Sequence, residues 1–166
     1  MKNSIGFVVP SVEENEKSKN ILNIIDRISS STPYSDCVVF NSLYSNYSPM
    51  INKFGVLHLN EAKFFLGPMI AFDLASMLFL KSCVTSHKIF FPLELEWQKY
   101  VNFNHDVNDP DYEKLSQYFG LRELYVNNSL LVTDNIEHKK ILDLCWKESL
   151  IIENNNYEKI FEYIKL

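Results

Sequence analysis

Two acids and a tryptophan close an apolar stretch of the sequence, and their spacing could support chemistry. The stretch is KIFFPLELEW, residues 88–97, which ends in Glu94, Glu96 and Trp97. Acids two residues apart on a strand face the same way, and like charges held close favour protonation of one of them near neutral pH, which suits a general base. Trp97 could stack on a sugar ring or a base. A strand end that surfaces into water, with Trp97 covering the sheet edge, has the same pattern, so both interpretations stay open.

A histidine and several polar residues follow other apolar runs. His58 suits either a contact with a bound substrate or a histidine satisfied within the core. Asp73 stands in an apolar stretch, where an ionised carboxylate is costly unless paired, so we expect it to have a structural role. The other polar residues suit either a ligand contact or a helix cap. The catalytic candidates are His58 and Glu94, and the candidate ligand-binding residues are Ser11, Asn60, Glu61, Glu96, Trp97 and Thr133.

The elements that must position these residues alternate between strands and helices. Apolar runs predict strands at 4–10, 36–43, 54–60, 88–97, 129–133 and 149–153. Helices are predicted at 11–30, 68–82, 110–119, 134–147 and 156–165, with Ser11 and Asp134 as caps of the first and fourth. This alternation predicts an α/β fold, a single three-layer Rossmann-like domain over residues 1–166, with a mostly parallel sheet of about six strands and helices on both faces. Ligands of such folds bind beyond the carboxyl ends of the strands, where the candidate residues fall.

Composition argues against several classes of function. The net charge of −5 and the lack of a basic stripe argue against nucleic-acid binding. The sequence has no GxxxxGK[ST] motif for a P-loop and no GxGxxG motif for a dinucleotide-binding site. It also lacks the GxSxG motif of the nucleophile elbow in α/β-hydrolases. The four histidines lack the paired spacing of metal ligands, so we expect no metal and no cofactor.

The cysteines and the most apolar segment bear on location. Cys37, Cys83 and Cys145 lack CxxC spacing and no signal peptide is recognised, so we expect reduced thiols in a cytoplasmic protein. Residues 64–80 contain Gly67, Pro68 and Asp73, and the predicted helix is too short for a bilayer, so we expect a buried helix and no membrane contact. A high content of Asn, Ile and Lys suggests an AT-rich genome, as in a phage or other virus or a low-GC bacterium.

Four segments, in order, resemble the N-terminal Rossmann-like half of GT-B glycosyltransferases, in particular the retaining group that uses nucleotide sugars. GVLHLNEAKFFLGPMIAFDLASMLFL resembles that family's VVHVH-like strand and long apolar helix, and HKIFFPLELEW resembles PVVYTVHDLEW. NNSLLVTDNIEHKKILD is similar to ADAVITVSEALRDLL, and KESLIIENNNYEKIF is similar to KIxVIPNGVDxEKF. The resemblance implies that His58 contacts an acceptor.

The sequence also departs from this family. Its first loop, VPSVEEN, lacks the family's glycines, and Leu93 stands where the family has the histidine of its HDLEW-like stretch. The sequence ends where the family's donor-binding domain begins. We therefore expect a stand-alone glycosyltransferase-like domain that acts as a binding or interaction module and is not catalytic alone. The alternative is an acceptor-binding subunit or truncated form of a glycosyltransferase that needs a second donor-binding domain. Expected partners are a protein or a second copy of the chain, with a sugar or nucleotide sugar as ligand.

Overall fold

One parallel sheet carries helices on both of its faces. The computed structural model describes residues 4–9, 15–42, 53–95 and 129–164, apart from the side chain of Cys145. The strands are β1 Ser4–Val8, β2 Asp36–Asn41, β3 Gly55–His58, β4 Met69–Ala71, β5 Lys88–Phe90, β6 Ser129–Thr133 and β7 Leu150–Ile151. The helices are α1 Glu16–Ser31, α2 Leu74–Leu80, α3 Ile136–Cys145 and α4 Glu158–Ile164, with a 3-10 helix at Leu59–Phe64. The predicted α/β class is confirmed, and the described sheet has seven strands rather than six.

The strand order is β3-β2-β1-β4-β5-β6-β7, and every described pair is parallel. This is the Rossmann order 3-2-1-4-5-6 with one further strand at its end. The chain moves from β1 outwards to β3 and then returns to the other side of β1. All carboxyl ends therefore lie at one edge of the sheet, with a reversal of direction between β1 and β4.

Two apolar cores lie on opposite faces of the sheet because neighbouring strand residues point to opposite sides. Phe7 and Ile89 point to the face covered by α1 and α4. Val8 and Phe90 point to the face covered by the 3-10 helix, α2 and α3. Strands buried on both faces need continuous apolar runs, which explains why their sequences lack alternation.

Helix α1 has the inward stripe that its sequence predicts, but it begins later than predicted. Ile21, Ile25 and Ile28 are at most 5% exposed and pack into the first core. The cap is Asn15, whose side chain accepts a hydrogen bond from the backbone N–H of Ser18 at 2.8 Å. The predicted cap Ser11 lies outside the described residues, and the helix starts at Glu16.

The predicted helix over 68–82 is wrong in its first part, which is a strand followed by a shorter helix. Residues 69–71 form β4, which pairs with β1 and with β5 at the centre of the sheet. Asp73 then caps α2, because its carboxylate accepts from the backbone N–H of Ser76 at 2.7 Å. The expected structural role of Asp73 is thereby confirmed. Within the described ranges, no helix has the length and apolar character needed to cross a membrane.

Two other predicted boundaries differ from the structure. Strand β5 covers 88–90 of the predicted 88–97, although the Phe91 N–H still donates to the Ala71 carbonyl at 2.9 Å. Pro92 then has no N–H to continue the ladder. Helix α3 is capped by Asn135 rather than by Asp134. The predicted short helix at 110–119 falls outside the described residues.

Candidate functional site

The candidate site is the carboxyl edge of the sheet at the reversal between β1 and β4. Open α/β sheets bind ligands beyond the carboxyl ends of the strands at such a reversal. Val9 continues β1 and is held by a hydrogen bond from its N–H to the Phe40 carbonyl at 3.0 Å. Phe72 continues β4, and both side chains are 2% exposed. The described ends of β1 and β4 are therefore apolar and buried.

A row of aromatic rings lies beneath this edge, on the face covered by α1 and α4. The Phe7 and Phe72 ring centroids are 6.5 Å apart, those of Phe72 and Phe91 are 6.1 Å apart, and those of Phe91 and Tyr157 are 6.4 Å apart. The row links β1 and the ends of β4 and β5 to the turn before α4. Rings at these spacings add to the free energy of burial and hold the strand ends in place.

Tyr157 places a polar group at the end of this row. Its side chain is 1% exposed, and burial, the largest effect, raises the pKa of its hydroxyl. A hydrogen bond with Arg27 and the positive charge of that residue oppose the rise, whereas the negative charge of Asp134 adds to it. Arg27 also donates to Asn155 Oδ1 at 2.7 Å. The guanidinium thus ties α1 to the turn between β7 and α4.

The sequence did not single out this group, although signals of it exist. Arg27 is one of two arginines in the chain, and Asn155 lies in a run of three asparagines. Asn154 and Asn155 have φ of 53° and 56°. Asparagine tolerates this left-handed backbone better than other non-glycine residues, so such a run after a strand predicts a tight turn.

The predicted ligand residue Thr133 serves the loop after β6. Thr133 is fully buried, and its hydroxyl oxygen accepts from the Asn135 N–H at 3.1 Å. Asn135 in turn accepts from the N–H groups of Glu137 and His138, at 2.8 and 3.3 Å. The described polar contacts of Thr133 therefore shape the start of α3.

His58 ends the edge strand β3 and begins the 3-10 helix. Its Nδ1 accepts from the Asn60 N–H at 3.2 Å, an arrangement that leaves the proton of the neutral ring on Nε2. His58 is half-buried, and the candidate ligand residues Asn60 and Glu61 are exposed in the 3-10 helix. These three residues form one local group at the end of the sheet.

Glu94 lies on the other side of the reversal, in the bend after β5. Its side chain is exposed, while Leu95 beside it is 4% exposed. The Leu93 N–H donates to the Phe72 carbonyl at 3.3 Å, which holds this bend against the end of β4. Glu94 therefore lies at the carboxyl edge, close to the end of β4.

The two catalytic candidates are not neighbours. The strands that precede His58 and Glu94 are separated by β2, β1 and β4. At about 4.8 Å per strand, β3 and β5 are about 19 Å apart. A direct proton transfer between the two side chains does not fit this separation, so each would have to act with other groups.

Three further candidates, Ser11, Glu96 and Trp97, lie outside the described residues. Among the residues that are described, no group of three or more His, Cys, Asp or Glu side chains is placed to hold a metal ion. Cys37 and Cys83 are free thiols, and burial, as the largest effect, raises the pKa of both.

No family model, curated protein or solved structure matches this chain.

Proposed function

We propose that this chain is a binding module of the GT-B N-terminal type, which holds a sugar or a nucleotide sugar at the carboxyl edge and does not transfer it unaided. The observation that carries the proposal is the strand order, with its single reversal between β1 and β4. A Rossmann-like sheet with this reversal binds ligands at that point. It is also the kind of fold that the resemblance to the glycosyltransferases implies.

Several contacts at this edge support binding rather than catalysis. The polar groups of Asp73, Thr133 and Asn135 hold the starts of α2 and α3. Because these side chains hold the loops at the carboxyl edge in one conformation, less conformational entropy is lost when a ligand binds there. The separation between His58 and Glu94 supports a contact role for each more than a joint acid–base role.

Glu94 is the contact that we assign to the ligand. It is an exposed carboxylate at the carboxyl edge, on a bend that is fixed to the end of β4 through the backbone of Leu93. A carboxylate accepts strong hydrogen bonds from sugar hydroxyl groups. Val9 and Phe72 are buried, so they fix the ends of β1 and β4 beside the ligand rather than contact it.

The test is a titration of the full chain with UDP-glucose and GDP-mannose, followed by amide chemical shifts. We expect the largest changes at Val9, Phe72 and Leu93. Glu94→Gln should weaken binding about threefold to tenfold, as expected for one charge-assisted hydrogen bond at an exposed site. Glu153→Gln is the matched control, because Glu153 is an exposed carboxylate at the same edge after β7. It should leave the affinity unchanged.

Two outcomes would overturn the proposal. Shifts confined to the opposite edge of the sheet, or none with either nucleotide sugar, would remove the binding site. Hydrolysis of either nucleotide sugar by this chain alone would show that it is catalytic. Hydrolysis that requires a co-purifying second chain would favour the acceptor-subunit alternative instead.

A further inference from the structure

A groove of about 600 Å³ opens at the amino edge of the sheet, on the side opposite the candidate site. It lies over the starts of β1, β2 and β3 and beside the last turns of α1. Its polar lining includes Asp26, Ser30, Ser35, Asp36 and Lys53. The volume falls within the range of small-molecule sites.

Much of the described polar lining offers acceptors, because the protons of the Ser30 and Ser35 hydroxyls are engaged. The hydroxyl of Ser30 donates to the Asp26 carbonyl at 2.8 Å, and the hydroxyl of Ser35 donates to Asp36 Oδ2 at 3.2 Å. The Lys53 ammonium lies 3.5 Å from Asp26 Oδ1. Carboxylates accept hydrogen bonds only, and a serine whose proton is engaged offers lone pairs. A ligand that supplies donors therefore suits these groups.

The charges around the groove favour a cation. Among the described lining residues, Asp26 and Asp36 carry negative charges, and Lys53, which pairs with Asp26, carries a positive one. The carboxyl end of α1 lies here too, and its last turn holds no basic residue to offset the negative end of the helix dipole. Burial, the largest effect, raises the pKa of the nearby Cys37 thiol, and the negative charge of Asp36 raises it further.

The floor has room for an organic group. Gly55 lines the groove, and a Cβ placed on it would lie 3.6 Å from the Cys37 carbonyl oxygen, an ordinary contact distance. Phe54 beside it is half-buried and offers an apolar wall. A ligand with a carbon skeleton and several polar hydrogens therefore suits the groove better than a bare ion.

We propose that this groove binds a compact, donor-rich organic cation, such as an aminated polyol, through Asp36 and the neighbouring serine oxygens. Its ammonium group lies against the Asp36 carboxylate, and its hydroxyl groups donate to the side chains of Ser30 and Ser35. The site is separate from the one under Proposed function, because the two lie at opposite edges of the sheet.

Three probes with one pyranose ring test the proposal: glucosamine, glucose and glucuronate, titrated slightly below neutral pH at low salt. We expect glucosamine to shift the amides of Asp36, Lys53 and Gly55, with glucose weaker and glucuronate weakest. Glucuronate binding as tightly as glucosamine would overturn the charge assignment. The proposal also fails if no probe shifts these amides, or if the shifts lie at the carboxyl edge.

Variants separate a specific contact from general attraction. Asp36→Asn keeps the shape of the side chain and should weaken glucosamine about threefold to fivefold, as for one exposed ion pair. Glu148→Gln removes a charge at the same edge of the sheet but ahead of β7, and should leave the affinity for glucosamine unchanged. A loss of affinity in Glu148→Gln equal to that in Asp36→Asn would overturn the proposal. Gly55→Val fills the floor and should prevent binding of all three probes. Unchanged binding to a folded Gly55→Val chain would also overturn it.

Discussion

At the scale of single residues, the turn before α4 depends on two asparagines in the left-handed region. Asn154 and Asn155 have φ of 53° and 56°, and Asn155 also accepts from Arg27. Left-handed backbone costs about 1–2 kcal/mol for an ordinary residue, and asparagine reduces that cost through local hydrogen bonds. The role of Asn154 is therefore in the backbone, whereas Asn155 has a side-chain role as well.

Asn154→Ala should lower the free energy of unfolding by about 1 kcal/mol, because alanine lacks the local hydrogen bonds that make this backbone acceptable. Urea unfolding followed by circular dichroism measures it. Asn156→Ala is the matched control: Asn156 is also exposed, but its φ is not positive. Equal losses in the two variants would contradict the backbone explanation.

Asp143 holds the end of α3 to the start of β7. Its carboxylate accepts from Lys139 Nζ at 2.8 Å and from the N–H and hydroxyl of Ser149, each at 2.7 Å. Burial, the largest single effect, raises the pKa of Asp143, but these hydrogen bonds together outweigh it and lower the pKa from its usual 3.8. A lowered folded-state pKa means that the ionised carboxylate stabilises the folded chain above pH 3.8.

Asp143→Asn should therefore lose about 1 kcal/mol near neutral pH, where the charge-assisted bonds are intact. The difference from the unmodified chain should shrink as the pH falls below 3.8 and through the folded-state pKa. Urea unfolding over this range measures it. Glu137→Gln, which removes an exposed pair with Lys140, should cost little at any pH. A difference that stays constant down to low pH would contradict the role of the charge.

Residue roles at the site were only partly predictable. Thr133 precedes a predicted helix, and its hydroxyl accepts from the N–H of Asn135, which is the cap of α3. A structural role is predicted for Asp73, but not its place as the cap of α2, because the sequence prediction puts it inside a helix. The distance between His58 and Glu94 could not be predicted, because it depends on how many strands lie between β3 and β5. In sequence order only β4 lies between β3 and β5, whereas in the sheet β2, β1 and β4 all lie between them.

At the scale of elements, the strand most important for the site was the one missed. Met69–Ala71 lies inside the continuous apolar run of 64–80, which has no period that separates a strand from a helix. Asp73 marked the boundary between this strand and the helix, because aspartate is also a common N-cap. A cap at that point would have divided the run and left a strand-length segment before it.

Strand β4 fits beside β1 only because Gly67 precedes it. A Cβ on Gly67 would lie 2.1 Å from the Ser4 carbonyl oxygen, which is backbone and cannot move aside cheaply. The carbonyl of Gly67 also accepts a hydrogen bond from the Thr85 hydroxyl. Close approach of two backbones explains the glycine at this position.

Gly67→Ala should destabilise the chain by about 2–4 kcal/mol, because β1 and β4 must separate at the centre of the sheet. Thermal unfolding followed by circular dichroism measures the loss. Gly55→Ala is the control, since a Cβ there meets its nearest described neighbour at 3.6 Å, and it should change stability by less than about 1 kcal/mol. A tolerated Gly67→Ala would mean that the two backbones are not held in close contact.

At the scale of the whole molecule, the class of fold was predictable and the strand order was not. Apolar runs separated by helices indicate a parallel sheet covered on both faces, which the two cores confirm. The order depends on which strands pair, and pairing follows from contacts between distant segments. Gly6 of β1, for example, pairs with Met69, a residue that the sequence assigned to a helix.

The last elements, β7 and α4, belong to the first core rather than forming an appendage. Tyr34, beyond the end of α1, contacts Phe161 of α4 with ring centroids 5.9 Å apart. Five side chains after residue 149 are at most 8% exposed: Ile152, Tyr157, Ile160, Phe161 and Ile164. Burying one such side chain contributes about 1.5–3 kcal/mol, so together they amount to about 8–15 kcal/mol, as much as the net stability of a typical domain.

A chain that ends at residue 147 should therefore show no cooperative thermal transition and should lose its near-ultraviolet circular dichroism, because the face of the sheet under α4 becomes exposed. Tyr163→Ala in the full chain is the control: its side chain lies on the same helix but is 57% exposed, and its loss should leave the transition in place. The Phe161 side chain is 2% exposed, and Phe161→Ala should lower the free energy of unfolding by about 3–5 kcal/mol. That effect lies between those of the shortened chain and of Tyr163→Ala. A cooperative transition in the shortened chain would show instead that the sheet folds without its last strand, and that α4 packs on a core already complete.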